Sequence, residues 1–263
     1  MRELAESLAR DLRGEVRWQE PLCRYTSFRI GGPADVLVLP ASIEDVIKVR
    51  KAASAAEVPL AVIGGGSNLL VADAGVRGIV MRIGRGLSRV VWRSDGATVG
   101  AGAPLPGVAK EAGRRSLAGL EFACGIPGTV GGALAMNAGA HDGCMADVVT
   151  RVLAVDGHGR LVELEPEDMA FGYRTSRLLQ DRDLVAVETD LRITPGRPDQ
   201  IREKMAAYLE KRRRTQPLGT KNAGSIFKNP PGDFAGRLVE QAGCKGLSVG
   251  DAVVSPVHAN FIV

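Results

Sequence analysis

Three consecutive glycines, Gly64, Gly65 and Gly66, stand directly before Ser67 and Asn68. Because glycine lacks a side chain, such a run lets successive main-chain N–H groups turn toward one point and form a nest for an anion. We therefore predict that this loop binds a diphosphate, with the two polar side chains as added donors. The loop does not match the G-x-G-x-x-G dinucleotide fingerprint, because Leu69 stands where the third glycine would be. It is not a P-loop either, since no Gly-Lys-Ser/Thr follows. A tight turn after a strand is the simpler alternative.

A second segment, Gly125–Ala140, consists almost wholly of small residues. Thr129 is placed to cap a short helix whose main-chain amides would face an anionic group. Small side chains also let a flat ring system lie against the backbone. Close helix packing would explain the same composition, but two such segments in one chain favour a large cofactor.

An arginine and a serine could act on a substrate. Arg174 lies beside Tyr173 and near two hydroxyl residues, and its guanidinium fork suits a carboxylate or an enolate. Taken alone, such an arginine is more often a surface or ion-paired residue. Ser225 follows Gly224 outside any G-x-S-x-G elbow, which argues against a hydrolase nucleophile. Such a serine could pass a proton, although a serine-capped turn remains the alternative.

Composition narrows the function class. The net charge is +4 and aromatic residues are 4% of the chain, a poor match to nucleic-acid binding surfaces. Four separated cysteines and three scattered histidines form neither a disulfide framework nor a metal site. The basic run Lys211–Arg214 predicts a solvated helix end or a contact with a substrate diphosphate.

The N-terminal segment predicts an amphipathic helix. Leu4, Leu8 and Leu12 recur at helical spacing among charged residues, which is unlike a signal peptide. No stretch reaches the roughly 20 apolar residues that span a bilayer. We expect a cytoplasmic protein.

Strand and helix signals alternate before the first glycine loop. Ala34–Leu39 and Leu60–Ile63 predict strands, and Ser42 predicts the cap of an intervening helix, with Asp45 completing a capping box. Strand, helix, strand and glycine loop in this order are typical of an α/β unit that binds a ligand at the carboxyl ends of its strands.

Beyond this unit we predict a mainly antiparallel layer and then a smaller region. The predicted strands are Gly78–Ile83, Val90–Arg93, Thr98–Ala101, Val148–Asp156, Arg160–Leu164 and Leu184–Ile193, with a hairpin turn at Asp156–Gly159. After the linker Pro195–Pro198, Asp199 would cap a helix that ends at Arg214. A helix at Ala235–Ala242 and a β-like end, HANFIV, would follow.

Six segments carry a resemblance to the UDP-N-acetylenolpyruvoylglucosamine reductases. Each is weak alone, but their order is specific, and the resemblance extends from about Thr26 to Val263. The segments are TSFRIGG (26–32), GGGSNLL (64–70), GLEFACGIPGTVGGALAMNAGA (119–140), FGYRTS (171–176), NAGSIFKNP (222–230) and HANFIV (258–263). The short stretch between Arg174 and Leu184 resembles the compact subtype of the family.

The resemblance implies an α+β fold. A two-lobed FAD-binding domain of the vanillyl-alcohol-oxidase (PCMH) type would cover residues 1–83 and 84–195, and an α/β substrate-binding domain would cover 196–263. It implies that NADPH, the co-substrate, reduces FAD, which reduces UDP-N-acetylglucosamine enolpyruvate to UDP-N-acetylmuramate. That reaction serves peptidoglycan synthesis, and with it cell-wall biogenesis, cell shape and cell division. We expect a monomer that binds NADPH and a UDP-sugar, with no nucleic acid and no membrane insertion.

The resemblance also implies individual roles. Ser225 resembles the proton donor, and Arg174 the residue that holds the substrate carboxylate and polarises the enol. The residues implied to contact FAD are Gly64, Gly65, Gly66, Ser67, Asn68, Leu69, Ile126, Gly128, Thr129, Gly131, Gly132, Ala133, Asn137, Ala138, Gly139 and Ala140. Those implied to contact substrate are Tyr173, Arg213, Gln216, Lys228, Asn229 and Asn260. No residue is assigned to a metal.

The family pattern differs from this sequence at its end. Members continue some tens of residues past HANFIV, and that extension carries a catalytic glutamate, whereas this sequence ends at Val263. We therefore expect weak or absent turnover from the 263-residue chain, with FAD binding less affected. NADPH-dependent reduction measured with and without an appended family tail tests this expectation, and full activity without the tail would refute it.

Two other functions are compatible with the same sequence. One is a FAD oxidase of the same fold that acts on hydroxyl-bearing small molecules, although the glycine loop lacks the histidine or cysteine that usually links a covalent flavin. The other is a flavin- or nucleotide-sugar-binding protein without catalysis. The colour of the purified protein, and its bleaching by NADPH, separate these alternatives.

Overall fold

The computed structural model describes residues 1–141 and 143–263. Its α-helices are α1 (Arg2–Asp11), α2 (Ile43–Ala55), α3 (Leu105–Arg114), α4 (Val130–Ala135), α5 (Arg177–Gln180), α6 (Pro198–Thr215) and α7 (Ala235–Gln241). Its strands are β1 (Glu15–Pro21), β2 (Pro33–Leu39), β3 (Leu60–Ile63), β4 (Val76–Arg82), β5 (Val90–Trp92), β6 (Gly96–Gly100), β7 (Leu117–Ala118), β8 (Gly139–Ala140), β9 (Gly143–Cys144), β10 (Val149–Val155), β11 (Leu161–Leu164), β12 (Val185–Arg192), β13 (Thr194–Pro195), β14 (Ser248–Val249) and β15 (Ala252–Val253). The predicted α+β class is confirmed.

The first sheet places the glycine loop at the end of a parallel strand. Its order is β1-β2-β4-β3, with β1 antiparallel to β2, and β2, β4 and β3 parallel. We predicted the β4 segment as part of the antiparallel layer, and this was wrong. Ile79 and Met81 of β4 face the large core, and Val80 faces the smaller cluster on the other side, so β4 is buried on both faces, which explains its continuous apolar run.

The second sheet is antiparallel throughout, with the order β11-β10-β12-β6-β5. The predicted hairpin turn between β10 and β11 is confirmed. Asp156 closes it by accepting hydrogen bonds from the N–H groups of His158 and Arg160, each at 2.9 Å. These bonds, together with the Arg160 guanidinium, lower the pKa of the Asp156 carboxyl to about 2.

One apolar core joins both sheets. In β2, Val36 and Val38 face this core, which also takes in residues of α1 to α4, β6, β10 and β12, whereas Leu37 faces a smaller cluster with Leu22 and Tyr25. This alternation follows from the two-residue period of a strand. Helix α2 contacts β10 of the second sheet, and its Val46 and Val49 belong to the same core as Val36 and Val38, so α2 connects the packing of the two sheets. The core therefore holds the first glycine loop in a fixed relation to the second sheet.

Three local predictions differ from the structure. The HANFIV segment forms a turn and a single bridge, Val254 to Ile262, rather than a strand. Asp199 lies inside the first turn of α6, where Pro198 starts the helix and Arg197 holds the cap position without a side-chain cap bond. Ser42 caps α2 as predicted, but the Asp45 carboxylate reaches further, to the N–H groups of Arg13, Gly14 and Ala41. It thereby joins α2 to the loop before β1.

An ion network joins neighbouring strands of the second sheet. The Arg151 guanidinium contacts the Asp190 carboxylate at 2.7 Å and Glu163 at 2.9 Å, and Arg93 contacts Asp190 at 3.1 Å. Burial alone would raise the pKa of Asp190, but hydrogen bonds from Thr98, Arg151 and Arg93 outweigh it and hold the pKa below its usual range.

Replacing Asp190 by asparagine is expected to lower the free energy of unfolding by about 2 kcal/mol at pH 7, because charge-assisted hydrogen bonds are lost. A depressed folded-state pKa contributes stability above the unfolded pKa of about 3.9 and loses it as pH falls through the folded value. The difference between the two proteins in urea unfolding should therefore shrink below about pH 4. Glu163→Gln is the control, since Glu163 pairs with the same arginine but its side chain is 64% exposed. An Asp190→Asn effect that is equal at pH 7 and pH 3 would contradict this account.

Candidate functional site

The two glycine segments lie in direct contact. A Cβ atom added to Gly65 would lie 2.9 Å from the Gly128 Cα, and one added to Gly64 would lie 2.2 Å from the Thr129 Oγ1. Gly66 has φ +65° and closes against the Tyr25 carbonyl oxygen, 1.9 Å from its added Cβ. Only glycine permits this approach, so the loop composition is explained by the packing of one segment on the other.

Several main-chain donors at this contact have no protein acceptor. Among the residues that the structure describes, this holds for the N–H groups of Gly65, Gly66, Ser67 and Asn68, and also for those of Gly128 and Thr129. Gly66 and Thr129 are buried residues. Main-chain donors inside a protein are nearly always paired, so the two buried N–H groups are the unusual ones, whereas Gly65 and Asn68 are exposed to solvent. Together the six N–H groups are available to an anion.

Two details of the predicted nest are different. The Ser67 hydroxyl donates to the Pro127 carbonyl oxygen at 3.1 Å, and the Asn68 amide lies 3.7 Å from the Met136 sulfur, so both side chains tie the loop to the second segment. Thr129 caps α4 by accepting from the Gly132 N–H at 3.4 Å, as predicted. However, the first amides of α4, those of Val130 and Gly131, donate to the carbonyl oxygens of Ala103 and Ala101, in the loop after β6, at 2.9 and 2.7 Å. They are therefore not available to an anionic group.

The remaining residues implied to contact FAD surround this contact. Leu69 and Ile126 are half-buried, Gly132 is exposed and Ala133 is buried in α4, and Ala138 is buried in the turn that follows. The chain then runs through Gly139 and Ala140 in β8. Most side chains from α4 to β8 are thus small, with Leu134, Met136 and Asn137 as the larger ones.

Asn137 links the second glycine segment to the arginine turn. Its amide donates to the Gly172 carbonyl oxygen at 3.0 Å and its Oδ1 accepts from the Ala146 N–H at 3.0 Å. The buried Ser176 hydroxyl donates to the Ala135 carbonyl oxygen at 2.9 Å. The turn is therefore fixed at both ends to the second glycine segment.

Arg174 projects from this turn toward the same segment. Its guanidinium donates to the Gly139 carbonyl oxygen at 2.7 Å and lies over the Tyr173 ring at 5.5 Å. Its φ of +56° is unusual for a residue with a side chain. A conformation of this kind costs energy and is kept where the surrounding contacts enforce it, which points to a requirement on the direction of the side chain.

Ser225 lies exposed on a loop held from two sides. On one side, the Asn222 side chain accepts from the Gly224 N–H at 2.9 Å, and the Ser27 hydroxyl donates to the Asn222 carbonyl oxygen at 2.6 Å. On the other, the buried Asn260 accepts from the Phe227 N–H and donates to its carbonyl oxygen, both at 2.9 Å. Asn260 thus positions the loop through its main chain.

The arginine turn and the serine loop meet through Tyr173. Its hydroxyl accepts a hydrogen bond from the Asn229 N–H at 3.2 Å, and the Asn229 Oδ1 accepts from the Ala235 N–H at the start of α7. Lys228 is exposed beside this contact. The structure therefore joins the first glycine loop, the second glycine segment, the arginine turn and the serine loop into one region.

In the basic run at the end of α6, Arg212 packs against the second glycine segment, whereas the residue predicted to contact substrate is Arg213. Arg213 is exposed and pairs with Glu210 at 3.1 Å, and Gln216 is the cap residue that leads into the serine loop. Arg212 is instead half-buried against Gly125, where a Cβ atom would lie 3.2 Å from its Cδ, and burial lowers its pKa. Its spacing from Met205 and Tyr208, on the buried face of α6, is the signal that would have identified it.

The described part of the chain contains neither a metal-binding cluster nor a membrane-spanning helix. No group of three His, Cys, Asp or Glu side chains there is arranged to hold a metal ion. None of the helices described is long and apolar enough to cross a bilayer.

Two family profiles match separate parts of the sequence. The FAD binding domain matches residues 34–165. The UDP-N-acetylenolpyruvoylglucosamine reductase C-terminal domain matches residues 216–263. The first match contains both glycine segments, and the second contains the serine loop and Asn260.

Curated relatives match along nearly the whole chain. UDP-N-acetylenolpyruvoylglucosamine reductase 2 of Symbiobacterium thermophilum is 48% identical over 263 residues, which cover 100% of this chain and 85% of the relative. The reductase of Bacillus subtilis is 42% identical over 250 residues, 95% of this chain and 82% of the relative.

Solved structures give the same grouping. The UDP-N-acetylenolpyruvylglucosamine reductase of Thermus caldophilus superposes with a TM-score of 0.83 at 39% identity, covering 96% of this chain and 88% of the other. The 6-hydroxy-D-nicotine oxidase of Arthrobacter nicotinovorans superposes with a TM-score of 0.52 at 18% identity, covering 70% of this chain and 43% of the other. The second likeness is one of fold alone.

Proposed function

This chain belongs to the UDP-N-acetylenolpyruvoylglucosamine reductase family, and we propose that it reduces UDP-N-acetylglucosamine enolpyruvate to UDP-N-acetylmuramate with FAD and NADPH. The observation that carries the proposal is the meeting of four segments. The two glycine segments, which carry the unpaired N–H groups, contact each other, and the arginine turn contacts the second of them at Gly139 and the loop of Ser225 through Tyr173. The product is a precursor of peptidoglycan.

The donor set and the small residues fit FAD. The N–H groups of Gly65–Asn68, with those of Gly128 and Thr129, would hold the diphosphate, and the small-residue path from α4 to β8 would lie against the ring system. When bound, FAD supplies hydride transfer from NADPH to the methylene carbon of the enolpyruvyl group. The protein contributes position, charge and exclusion of water.

We assign Arg174 to the substrate carboxylate. Hydride addition to the enolpyruvyl group leaves negative charge on the carboxylate side of the substrate, and a guanidinium fixed there stabilises this charge as it grows. The fixation is visible in its φ of +56° and its bond to the Gly139 carbonyl oxygen, within the second glycine segment.

We assign Ser225 to protonation of the resulting enol. It is exposed on a loop whose main chain is braced by Asn222 and Asn260. A fixed hydroxyl can deliver a proton to one face of a substrate, and the exposed Lys228 nearby adds positive charge. We further propose that Tyr173, Asn229, Gln216 and Arg213 contact the sugar nucleotide.

Replacing Arg174 by lysine is expected to lower kcat/KM for the enolpyruvyl sugar about 10²- to 10³-fold, because lysine keeps the charge but loses the two-pronged contact. Reduction of FAD by NADPH should keep its rate. Arg177→Lys is the matched control, since Arg177 lies in the next helix and only approaches Asp181 at 3.9 Å. Stopped-flow absorbance follows both half-reactions, and a normal reoxidation rate in Arg174→Lys would remove Arg174 from the site.

One spectrum tests the proposed function itself. The purified chain should show a flavin absorption band that NADPH bleaches and the enolpyruvyl sugar restores. Restoration by simple alcohols or other hydroxyl compounds, but not by the sugar nucleotide, would favour the oxidase alternative. Purified protein that binds no flavin when FAD is added would exclude both.

We also propose a cytoplasmic monomer in which residues 1–83 and 84–195 bind FAD and 196–263 bind the substrate. The two profile matches support this division, since one covers both glycine segments and the other begins at Gln216. Through its product, the enzyme would support cell-wall biogenesis, cell shape and cell division.

A further inference from the structure

A cavity that shares only Gly65, among its described lining residues, with the predicted contacts lies between the first sheet and the serine loop. It has a volume of about 460 Å³ and is bounded by the loop of residues 23–29, by Gly65, by Arg82 and by the turn Gly219–Lys221. This volume falls within the range of about 300–1,000 Å³ that ligand pockets occupy. We call it the basic cavity.

The lining of the basic cavity is strongly cationic. Arg24, Arg29, Arg82 and Lys221 line it, and none of the acidic side chains that the structure describes does. Among these four cations, only Arg24 has an acidic partner in the described part of the chain, Glu20 at 3.4 Å, and that carboxylate is shared with Arg17. Within the described residues, the other three cations make no ion pair and no side-chain hydrogen bond. Cations gathered without counter-charges repel one another, and an anion would relieve that repulsion.

Arg82 gives the strongest indication of a ligand. Its Nε is buried and has no hydrogen-bond partner. Among the described residues, no other buried side-chain nitrogen or oxygen atom lacks a partner. Its guanidinium lies 5.1 Å from the centre of the Tyr25 ring, which holds it in place without supplying an acceptor. A buried donor without an acceptor is costly, and because Arg82 also lines the cavity, an anion bound there would compensate the charge of this guanidinium.

The position of the basic cavity couples it to the catalytic region. Arg82 ends β4 and pairs in register with Ile63 at the end of β3, directly before the glycine loop. On the other wall, Lys221 precedes Asn222, whose carbonyl oxygen accepts from the Ser27 hydroxyl. A ligand held by both Arg82 and Lys221 would span from the first sheet to the loop of Ser225.

We infer that the basic cavity binds a phosphate-type oxyanion, separate from the FAD diphosphate, and that this anion holds the loop of Ser225 against the first sheet. The chemistry is that of a phosphate monoester or diphosphate. It is supplied either by a bound nucleotide, such as the 2′-phosphate of NADPH or the diphosphate of a UDP-sugar, or by a free phosphate compound. This inference goes beyond the reductase activity, and its tests measure binding and loop protection without turnover.

The probe is inorganic pyrophosphate, titrated by calorimetry into FAD-saturated protein. Arg82→Gln and Lys221→Gln should each weaken its binding about tenfold or more, because each removes a charge-assisted hydrogen bond. Lys221 is exposed, so its variant remains informative if Arg82→Gln fails to fold. Arg89→Gln is the matched control, since Arg89 is an exposed arginine outside the cavity lining. No binding to the FAD-saturated protein, or equal binding by all variants, would overturn the inference.

Two further measurements complete the test. Pyrophosphate should slow amide hydrogen exchange at residues 219–224 in the wild type but not in Lys221→Gln, and unchanged exchange would overturn the coupling to the serine loop. Competition identifies the source of the anion. Displacement by NADP⁺ but not NAD⁺ indicates the 2′-phosphate, displacement by UDP indicates the diphosphate, and displacement by neither indicates a free phosphate compound.

Discussion

Replacing Ser225 by alanine is expected to slow reoxidation of the reduced enzyme by the enolpyruvyl sugar about 10²- to 10⁴-fold, the range that a positioned proton donor contributes. The reason is geometric. Ser225 stands exposed on a loop whose flanking main chain is fixed by Asn222 and Asn260, so no neighbouring hydroxyl of that loop can take its place. Reduction of FAD by NADPH involves no enol and should keep its rate. Stopped-flow absorbance of the two half-reactions separates these effects.

The controls for Ser225 test position and chemistry separately. Ser248→Ala removes an exposed hydroxyl from the same part of the chain and should leave both half-reactions unchanged. Ser225→Cys retains a weaker proton donor and should recover part of the lost rate. Reoxidation of Ser225→Ala at the wild-type rate would assign the proton to another donor, and the role of the serine loop would have to be reconsidered.

The sequence predicted most elements of the fold because apolar periodicity is a local property. β2, β3, β10, β12 and α6 lie within one or two residues of their predicted bounds. The placement of β4 could not be predicted in the same way, because an apolar run fits a strand of either sheet. Its partner is decided by the crossover through α2, which leaves a gap between β2 and β3 that β4 fills.

The C-terminal segment shows why composition alone misleads. HANFIV has the apolar, β-branched residues of a strand, but the Phe261 N–H donates to the His258 carbonyl oxygen and Asn260 is turned inward onto Phe227. A tertiary contact therefore overrides the local preference. The side chain that makes this contact gave no signal of its own, since a buried asparagine and an exposed one look alike in a sequence.

The candidate site was only partly visible for the same reason. Glycine runs, the arginine turn and the serine loop were each identified from residue type. The links made by Ser27 and Asn137 were not identified, because their partners lie 195 and 35 residues away in the chain. The role of Asn222 was not identified either, because its bond to the Gly224 N–H depends on a local turn. Ser67 shows the opposite error, since its hydroxyl was predicted to face a ligand and instead bonds to Pro127. Residue type indicates the chemistry that is available, whereas packing decides which donors remain unpaired.

Replacing Gly65 by alanine is expected to weaken FAD binding about 10- to 100-fold, which corresponds to the 1–3 kcal/mol that overpacking costs. The added methyl group would lie 2.9 Å from the Gly128 Cα and 3.6 Å from the Thr129 nitrogen. Neither atom belongs to a flexible side chain, so the two glycine segments must move apart. Their unpaired N–H groups would then no longer converge on one diphosphate. Fluorescence quenching of FAD on titration with the apoprotein measures the dissociation constant.

The choice of control makes this test specific for the contact between the segments. Gly107→Ala adds the same methyl group within α3, where its nearest neighbour would be the Pro104 Cβ at 3.8 Å, and it should bind FAD like the wild type. Gly65 itself does not have a positive φ, so alanine there meets a steric obstacle and no backbone strain. If Gly65→Ala binds FAD normally, the segments do not need their close approach to hold the diphosphate. The N–H groups of Gly128 and Thr129 would then be excluded from the cofactor site, while those of Gly65–Asn68 could still serve it alone.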